Sequence, residues 1–247
     1  MEIRLNKFLA ERLGLSRREA DDVIVAGKVM VNGSAATLGA RVSAKDEVIY
    51  DGKKVEFEKD YTYLELNKPA GYVCSRKKQG EADTIYSLLP GKYQSLKTVG
   101  RLDKDSSGLI LLTDDGDTAF RLTHPKFMKY KVYIVALDRP LEPLHQQMIA
   151  DFGVDLPDGK SQLDLICIDD NTNTTTVAFG PRQSGAKKRQ LWQVGMSEGR
   201  NRQIRRTIAA LGYRVTFLKR IQFGDILLGD LKEGAYKELK ADLFKKD

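Results

Sequence analysis

Asp103 is the residue of this chain best placed to do chemistry. It stands in the run Gly100-Arg101-Leu102-Asp103-Lys104-Asp105-Ser106-Ser107-Gly108-Leu109-Ile110-Leu111-Leu112-Thr113. A turn-rich pentad from Asp103 is followed by five apolar or β-branched residues, enough for one buried strand. A carboxylate on a loop at the edge of a rigid sheet is held where catalytic groups are often placed. The same residues also suit a plain solvated turn. Asp105 adds a further possibility, a pair of carboxylates working as acid and base in a hydrolase.

A second cluster is basic: Glu198-Gly199-Arg200-Asn201-Arg202-Gln203-Ile204-Arg205-Arg206. Ile204, Ile208 and Leu211 make an apolar helical stripe, with arginines crowding its first turns. Cations at a helix N-terminus oppose the macrodipole, so an anion is expected nearby, either a carboxylate or RNA phosphate. Residues 181–220 hold 11 basic residues and one acid, Glu198, in a chain of net charge +7. So one-sided a stretch points to a polyanion, nucleic acid, rather than to a merely solvated face. Two more blocks are candidates: Leu66-Asn67-Lys68-Pro69-Ala70-Gly71-Tyr72-Val73-Cys74-Ser75, and Lys131-Val132-Tyr133-Ile134-Val135 with Tyr133 in an alternating strand. Taken alone, the first is a strand end with a turn and the second a core tyrosine.

Metal chemistry is not expected. Cys74 and Cys167 stand far apart, as do His124 and His145, and two reduced, buried thiols are the default. Asp114-Asp115-Gly116-Asp117 lacks the spacing and closing Glu of a calcium loop and reads as a turn and helix N-cap. No apolar run approaches the ~20 residues of a membrane span, and the opening residues do not look like a signal peptide, so a cytoplasmic protein is expected.

The elements that must hold these groups fall into two domains, 1–58 and 61–247. In the first, Leu5, Leu9 and Leu13 recur every fourth residue before Gly14. Ser16 to Glu19 is a capping box for a helix that buries Ala20, Val23 and Ile24. Val29–Val31 leads into the tight turn Asn32-Gly33. Val48–Tyr50 and Val55–Phe57 are short strands. In the second, strands are expected over 64–66, 72–74, 109–113, 131–137, 163–168, 174–179 and 190–196, and helices near 84–89, 117–123, 141–150 and 201–211. Strands and helices without strict alternation predict an α+β domain on a mixed, largely antiparallel sheet.

The Asp103 run resembles the signature G-R-L-D-x-x-[ST]-x-G-L of the RNA pseudouridine synthases, in particular their RsuA/RluB branch, and the other three blocks match the same family. The resemblance implies that Asp103 is the nucleophile, that Tyr133 packs against the target base, that Arg205 pairs with the aspartate, and that Leu218 is an apolar wall. Arg101 and Lys68 join them as substrate-binding residues. Residues 1–33 resemble the alpha-L RNA-binding motif of a small-subunit ribosomal protein, whose RNA face would carry Arg4, Lys7, Arg17, Arg18 and Lys28. Arg200, Arg202 and Arg206 are expected to bind RNA as well. The implied function is isomerisation of a uridine in ribosomal RNA, a step of ribosome biogenesis. The large subunit is favoured because residues 191–226 look like its enzymes, although 67–75 look as much like the small-subunit enzyme. No cofactor and no metal are expected, ribosomal RNA is the partner, and the chain is expected to be a monomer. The competing reading is a non-catalytic ribosome-assembly factor, which has no use for Asp103, Tyr133 and Arg205 together.

Overall fold

The structure, a computed structural model, describes residues 2–58, 60–168 and 190–244. The strand expected over 174–179 and the basic residues of 181–189 lie outside the described residues.

The N-terminal part runs β1 (Ile3–Arg4), α1 (Leu5–Leu13), α2 (Arg17–Val25), β2 (Val29–Val31), β3 (Ser34–Ala35), β4 (Arg41–Val42), β5 (Val48–Tyr50) and β6 (Lys53–Lys54). The four-residue repeat of α1 buries Leu5 and Leu9 together with Phe8, and the helix stops at Gly14 in a left-handed conformation. The capping box forms: Glu19 N–H donates to the Ser16 hydroxyl at 3.2 Å, and Ser16 N–H donates to the Glu19 carboxylate at 2.6 Å. Asn32 and Gly33 both take positive φ, as a two-residue hairpin turn demands. Val55–Phe57 is not a strand. The ladder ends at Lys54, Val55 turns into the core, and the Phe57 ring stacks on Phe8 with centroids 4.2 Å apart. These residues pack a core of their own, drawn from positions 3–57.

The second part adds β7 (Tyr63–Lys68), β8 (Lys97–Val99), β9 (Ser107–Thr113), α3 (Gly116–Thr123), β10 (Lys131–Leu137), α4 (Pro143–Gln147), β11 (Val154–Leu156), β12 (Gly159–Ser161), β13 (Asp164–Ile168), β14 (Leu191–Met196), α5 (Gln203–Ala210), β15 (Val215–Phe223), β16 (Ile226–Leu227) and β17 (Tyr236–Leu239). One sheet has the order β13-β14-β10-β15-β9-β7-β17, with β8 on β9 and β16 on β15. Its described pairings are antiparallel except β9 with β15. This is the α+β fold on a mixed, largely antiparallel sheet that the sequence predicts.

The run from Leu109 to Leu112 is apolar without alternation because both faces of β9 are covered. Ile110 and Leu112 join the core under α5, with Ile204 and Ile208, while Leu109 and Leu111 join a second core with Val99 and Phe223. Gly108 lets β9 approach β15: a Cβ there would lie 2.2 Å from the Arg220 carbonyl oxygen, and its φ is +102°. Tyr72–Cys74 is not a strand, since only Val73 bridges to Thr84. The helix expected at 84–89 is a 3₁₀ turn, Ile85–Leu88. No helix among the described residues is long and apolar enough to cross a membrane.

Candidate active site

The Asp103 loop links β8 to β9 and is fixed from beneath. Lys68, at the end of β7, is fully buried, and its ammonium donates to the carbonyls of Ser106 at 2.6 Å, Pro69 at 2.9 Å and Lys104 at 3.4 Å. Gly71 N–H donates to the Lys104 carbonyl at 2.7 Å, and Leu102 N–H meets the Cys74 sulfur at 3.4 Å. The backbone on both sides of Asp103 is thus anchored, while its side chain, 29% exposed, turns toward solvent. Burial pushes the Lys68 ammonium below its usual range and the Cys74 thiol above its own.

The loop borders a cleft of about 790 Å³ whose lining includes Asp103, Tyr133, Leu218 and Arg205. Tyr133 and Leu218 come from neighbouring strands and are 8% and 6% exposed. Eight cations line the cleft, Arg101, Lys104, Lys129, Lys131, Arg200, Arg202, Arg205 and Arg220, against two carboxylates, Asp103 and Glu198. Such an excess draws an anionic substrate.

The start of α5 shows how its arginines are tolerated. Arg202 sits at the N-cap with φ +47°, a conformation rare for a residue with a Cβ. Its guanidinium grips both oxygens of Asp105, at 2.9 and 3.0 Å, and reaches Asp103 at 3.5 Å. That grip holds the Asp105 carboxyl below its ordinary range. Arg206 clasps Asp158 at 2.7 and 3.0 Å, and Arg200 bonds Glu198 at 3.0 Å and Asp158 at 3.2 Å. The anions that offset the helix dipole are therefore carboxylates.

A sequence profile of the RNA pseudouridylate synthase family matches residues 62–210, and one of the S4 domain matches residues 3–48. The chain belongs to the RNA pseudouridylate synthase family. It is 39% identical to the ribosomal small subunit pseudouridine synthase A of Pasteurella multocida, over 97% of both chains. It is 33% identical to the ribosomal large subunit pseudouridine synthase B of Bacillus subtilis, over 96% of this chain and 91% of that one. A crystal structure of a pseudouridylate synthase, 33% identical, superposes with a TM-score of 0.65 over 99% of each chain. The RsuA/RluB-type resemblance and the N-terminal RNA-binding domain are thereby established, and with them an isomerase.

In this synthase the geometry at Lys68 and Arg205 differs from the sequence-based expectation. Lys68 is not in the lining of this cleft, and its ammonium donates to the backbone carbonyls beneath the loop. Arg205 does not ion-pair with Asp103. It lies 3.3 Å from the Asp105 carboxylate and donates to the Asp105 carbonyl at 2.9 Å, the Ser106 hydroxyl at 3.3 Å and the Val215 carbonyl at 3.2 Å. The residue ion-paired with Asp103 is Arg202. Arg101 is exposed and lines the cleft. Arg4, Arg17, Arg18 and Lys28 are exposed on the S4 domain, whereas Lys7 is ion-paired with Asp117 of the other domain. Cys167 is exposed on an edge strand and not buried. Sequence reading missed Lys131 and Arg220 as cleft residues. Lys131 lies two positions before Tyr133, hence on the same strand face, which is the signal that marks it.

Proposed function

We propose that this enzyme isomerises one uridine of ribosomal RNA to pseudouridine, with Asp103 attacking the sugar. The observation that carries this is the meeting of Asp103, Tyr133 and Leu218 in one cation-rich cleft. Flipping the uridine from its stack costs a few kcal/mol. Packing of the base against the Tyr133 ring and Leu218 side chain returns ~1–3 kcal/mol. As the N-glycosidic bond breaks, C1′ becomes electron-poor, and an ionised carboxylate attacks or stabilises it. Arg202 keeps the Asp103 charge oriented, and Arg205 holds the loop by its carbonyl and hydroxyl bonds. The freed uracil anion rotates within the cleft, and its C5 bonds to C1′ as the bond from C1′ to the Asp103 carboxylate breaks. The proton on C5 then leaves while N1 takes one up, so the product is an isomer.

Between the subunits, small-subunit rRNA is supported by the relatives of that description at 39% and 35% identity. A second reading, the large subunit, rests on the resemblance of residues 191–226 to the large-subunit enzymes, and a large-subunit relative stands at 33%. Purified enzyme is given protein-free small-subunit rRNA, large-subunit rRNA and tRNA in parallel, and pseudouridine is mapped in each. Modification confined to large-subunit rRNA reverses the order of the two readings. Modification of tRNA alone, or of nothing, removes the rRNA proposal.

A further inference from the structure

One rim of the cleft takes no part in the chemistry above. Residues 118–131 contain Arg121, Lys126, Lys129 and Lys131 and no carboxylate. Four Phe, Tyr or Trp residues are exposed among those described, and three of them, Phe120, Phe127 and Tyr130, lie in this one segment, with Met128 70% exposed beside them. The His124 ring stands 4.6 Å from Phe120, and Phe127 meets Phe120 edge-on at 5.9 Å. The Lys126 ammonium lies over both phenyl rings, 5.5 and 4.7 Å from their centroids. His124 and its neighbours Leu122, Thr123, Pro125 and Lys129 line the same cleft as Asp103. The aromatic cluster is therefore continuous with the site.

Exposed apolar side chains gathered in one place mark a contact surface. Aromatic faces beside cations match alternating bases and phosphates of unpaired nucleic acid. Among the described residues the acid touching the patch, Asp164, accepts from the Tyr130 hydroxyl, away from Phe120, His124 and Phe127. We infer that Phe120, His124 and Phe127 form a shelf on which unpaired RNA bases next to the target uridine stack, with Lys126 meeting the adjoining phosphate. This rests on the reading of the cleft as an RNA-modifying site. It adds a second set of contacts to those of Tyr133, outside the reacting pocket. A flipped uridine leaves its neighbours unstacked, and the shelf gives those bases a face to cover.

The test uses the full-length protein and a fluorescein-labelled single-stranded oligoadenylate of about eight nucleotides, with a duplex of equal length as control. Phe120→Ala and Phe127→Ala should each weaken single-strand binding roughly fivefold to tenfold, leaving duplex binding and the salt dependence unchanged. Phe127→Trp should restore it, and Lys126→Gln should lower the log–log salt slope by about 0.7. On rRNA, the two alanine variants should raise KM with kcat held. Thermal melts establish that each variant is folded. Unchanged single-strand affinity in both alanine variants overturns the inference. Equal losses on strand and duplex do so too. So does loss of a concentration-dependent dimer on sedimentation without any change in RNA affinity, which assigns the surface to a second copy. Should the shelf respond as expected while no rRNA is modified by the parent protein, the functional reading falls alone. Should modification proceed while the alanine variants are silent, the shelf falls alone.

Discussion

Arg202 Nη1 lies 3.5 Å from Asp103 Oδ2, while the same guanidinium holds both oxygens of Asp105 at 2.9 and 3.0 Å. The two carboxylates of the loop are thus bound unequally. Asp105 is clamped and works as a strut between the loop and α5. Asp103 is held only at 3.5 Å, and 29% of its side chain stays exposed. This division of labour also disfavours a hydrolytic carboxylate pair, because Asp105 is engaged by a bidentate arginine and by Arg205.

Asp103→Asn should abolish pseudouridine formation with fold and RNA affinity nearly intact. The substitution keeps the shape and removes the nucleophilic charge. Loss of turnover of at least about 10³-fold is expected, as for other covalent catalysts. Mass spectrometry of the modified RNA measures it, and activity within tenfold of the parent takes Asp103 out of its role.

Arg205→Ala should lower both stability and kcat, whereas Arg202→Ala should lower kcat with a smaller loss of stability. Arg205 is half-buried, and its loss strips partners from the Asp105 and Val215 carbonyls and the Ser106 hydroxyl. That costs about 2–3 kcal/mol. Arg202 is 43% exposed, so its bond to Asp105 is screened by solvent and adds little to stability. Its effect should appear in turnover: because one guanidinium serves both carboxylates, Arg202→Ala and Asp105→Asn should be non-additive in a double-mutant cycle on single-turnover rates. Urea melts and single-turnover rates decide this, and equal destabilisation by both arginine variants contradicts it.

Much of the frame is legible in the sequence because local chemistry states it outright. Ser16 with Glu19, Gly14 after Leu13, and Asn32-Gly33 each define an element boundary by capping or turn geometry, and each is found. Asp103 is legible for the same reason, standing between a glycine and a buried strand. What is not legible depends on long-range packing. The nine-residue strand β15 contains Lys219 and Arg220, both of which are buried, so no apolar alternation reports it. Val55–Phe57 looks like a strand but is drawn off the ladder by Phe8. The partner of Arg205 is decided by how α5 packs on the loop, which sets Arg202 near Asp103 and Arg205 near Asp105.

Lys68→Met should destabilise the protein by about 2 kcal/mol or more, since the carbonyls of Ser106 and Pro69 lose a buried donor. Turnover should fall in step, because the loop below Asp103 slackens. KM for rRNA should hardly change. A variant that melts like the parent yet shows a raised KM would return Lys68 to the substrate.

Lys131 gives a pH signature. Burial, helped by the nearby Arg220, pushes its ammonium down to about 8. Between that value and the unfolded value of 10.5, the unfolded chain keeps a proton that the folded protein has lost. Stability therefore gains from this residue as pH rises through the window, and below it the folded state carries the cost of the buried charge. Comparing parent and Lys131→Met by urea melts at about pH 7.5 and 9.5 should shift the difference toward the parent by ~1–2 kcal/mol. A difference that is flat across the window means that Lys131 titrates near its ordinary value.

Deleting residues 1–58 should leave a folded domain that binds RNA weakly and turns over slowly. The N-terminal core is drawn from positions 3–57 alone, and no residue of it belongs to the two cores of the larger sheet. Among the described residues, polar contacts across the seam include the Lys7–Asp117 ion pair, the Lys97 ammonium on the Leu15 carbonyl at 3.3 Å, and Arg12 beside the Tyr61 ring. Ion pairs open to solvent contribute at most about 1 kcal/mol each, and that bound fits the Lys7–Asp117 pair, whose Asp117 side chain is 61% exposed. The lost share of affinity should be electrostatic, because Arg4, Arg17, Arg18 and Lys28 leave with the domain. The log–log salt slope of RNA binding should then fall by about 0.7–0.9 for each phosphate no longer neutralised. Circular dichroism, the salt titration and pseudouridine counting on the 59–247 fragment measure these three quantities together. A fragment that is insoluble or wholly inactive would mean that the polar seam is required for the larger domain to fold.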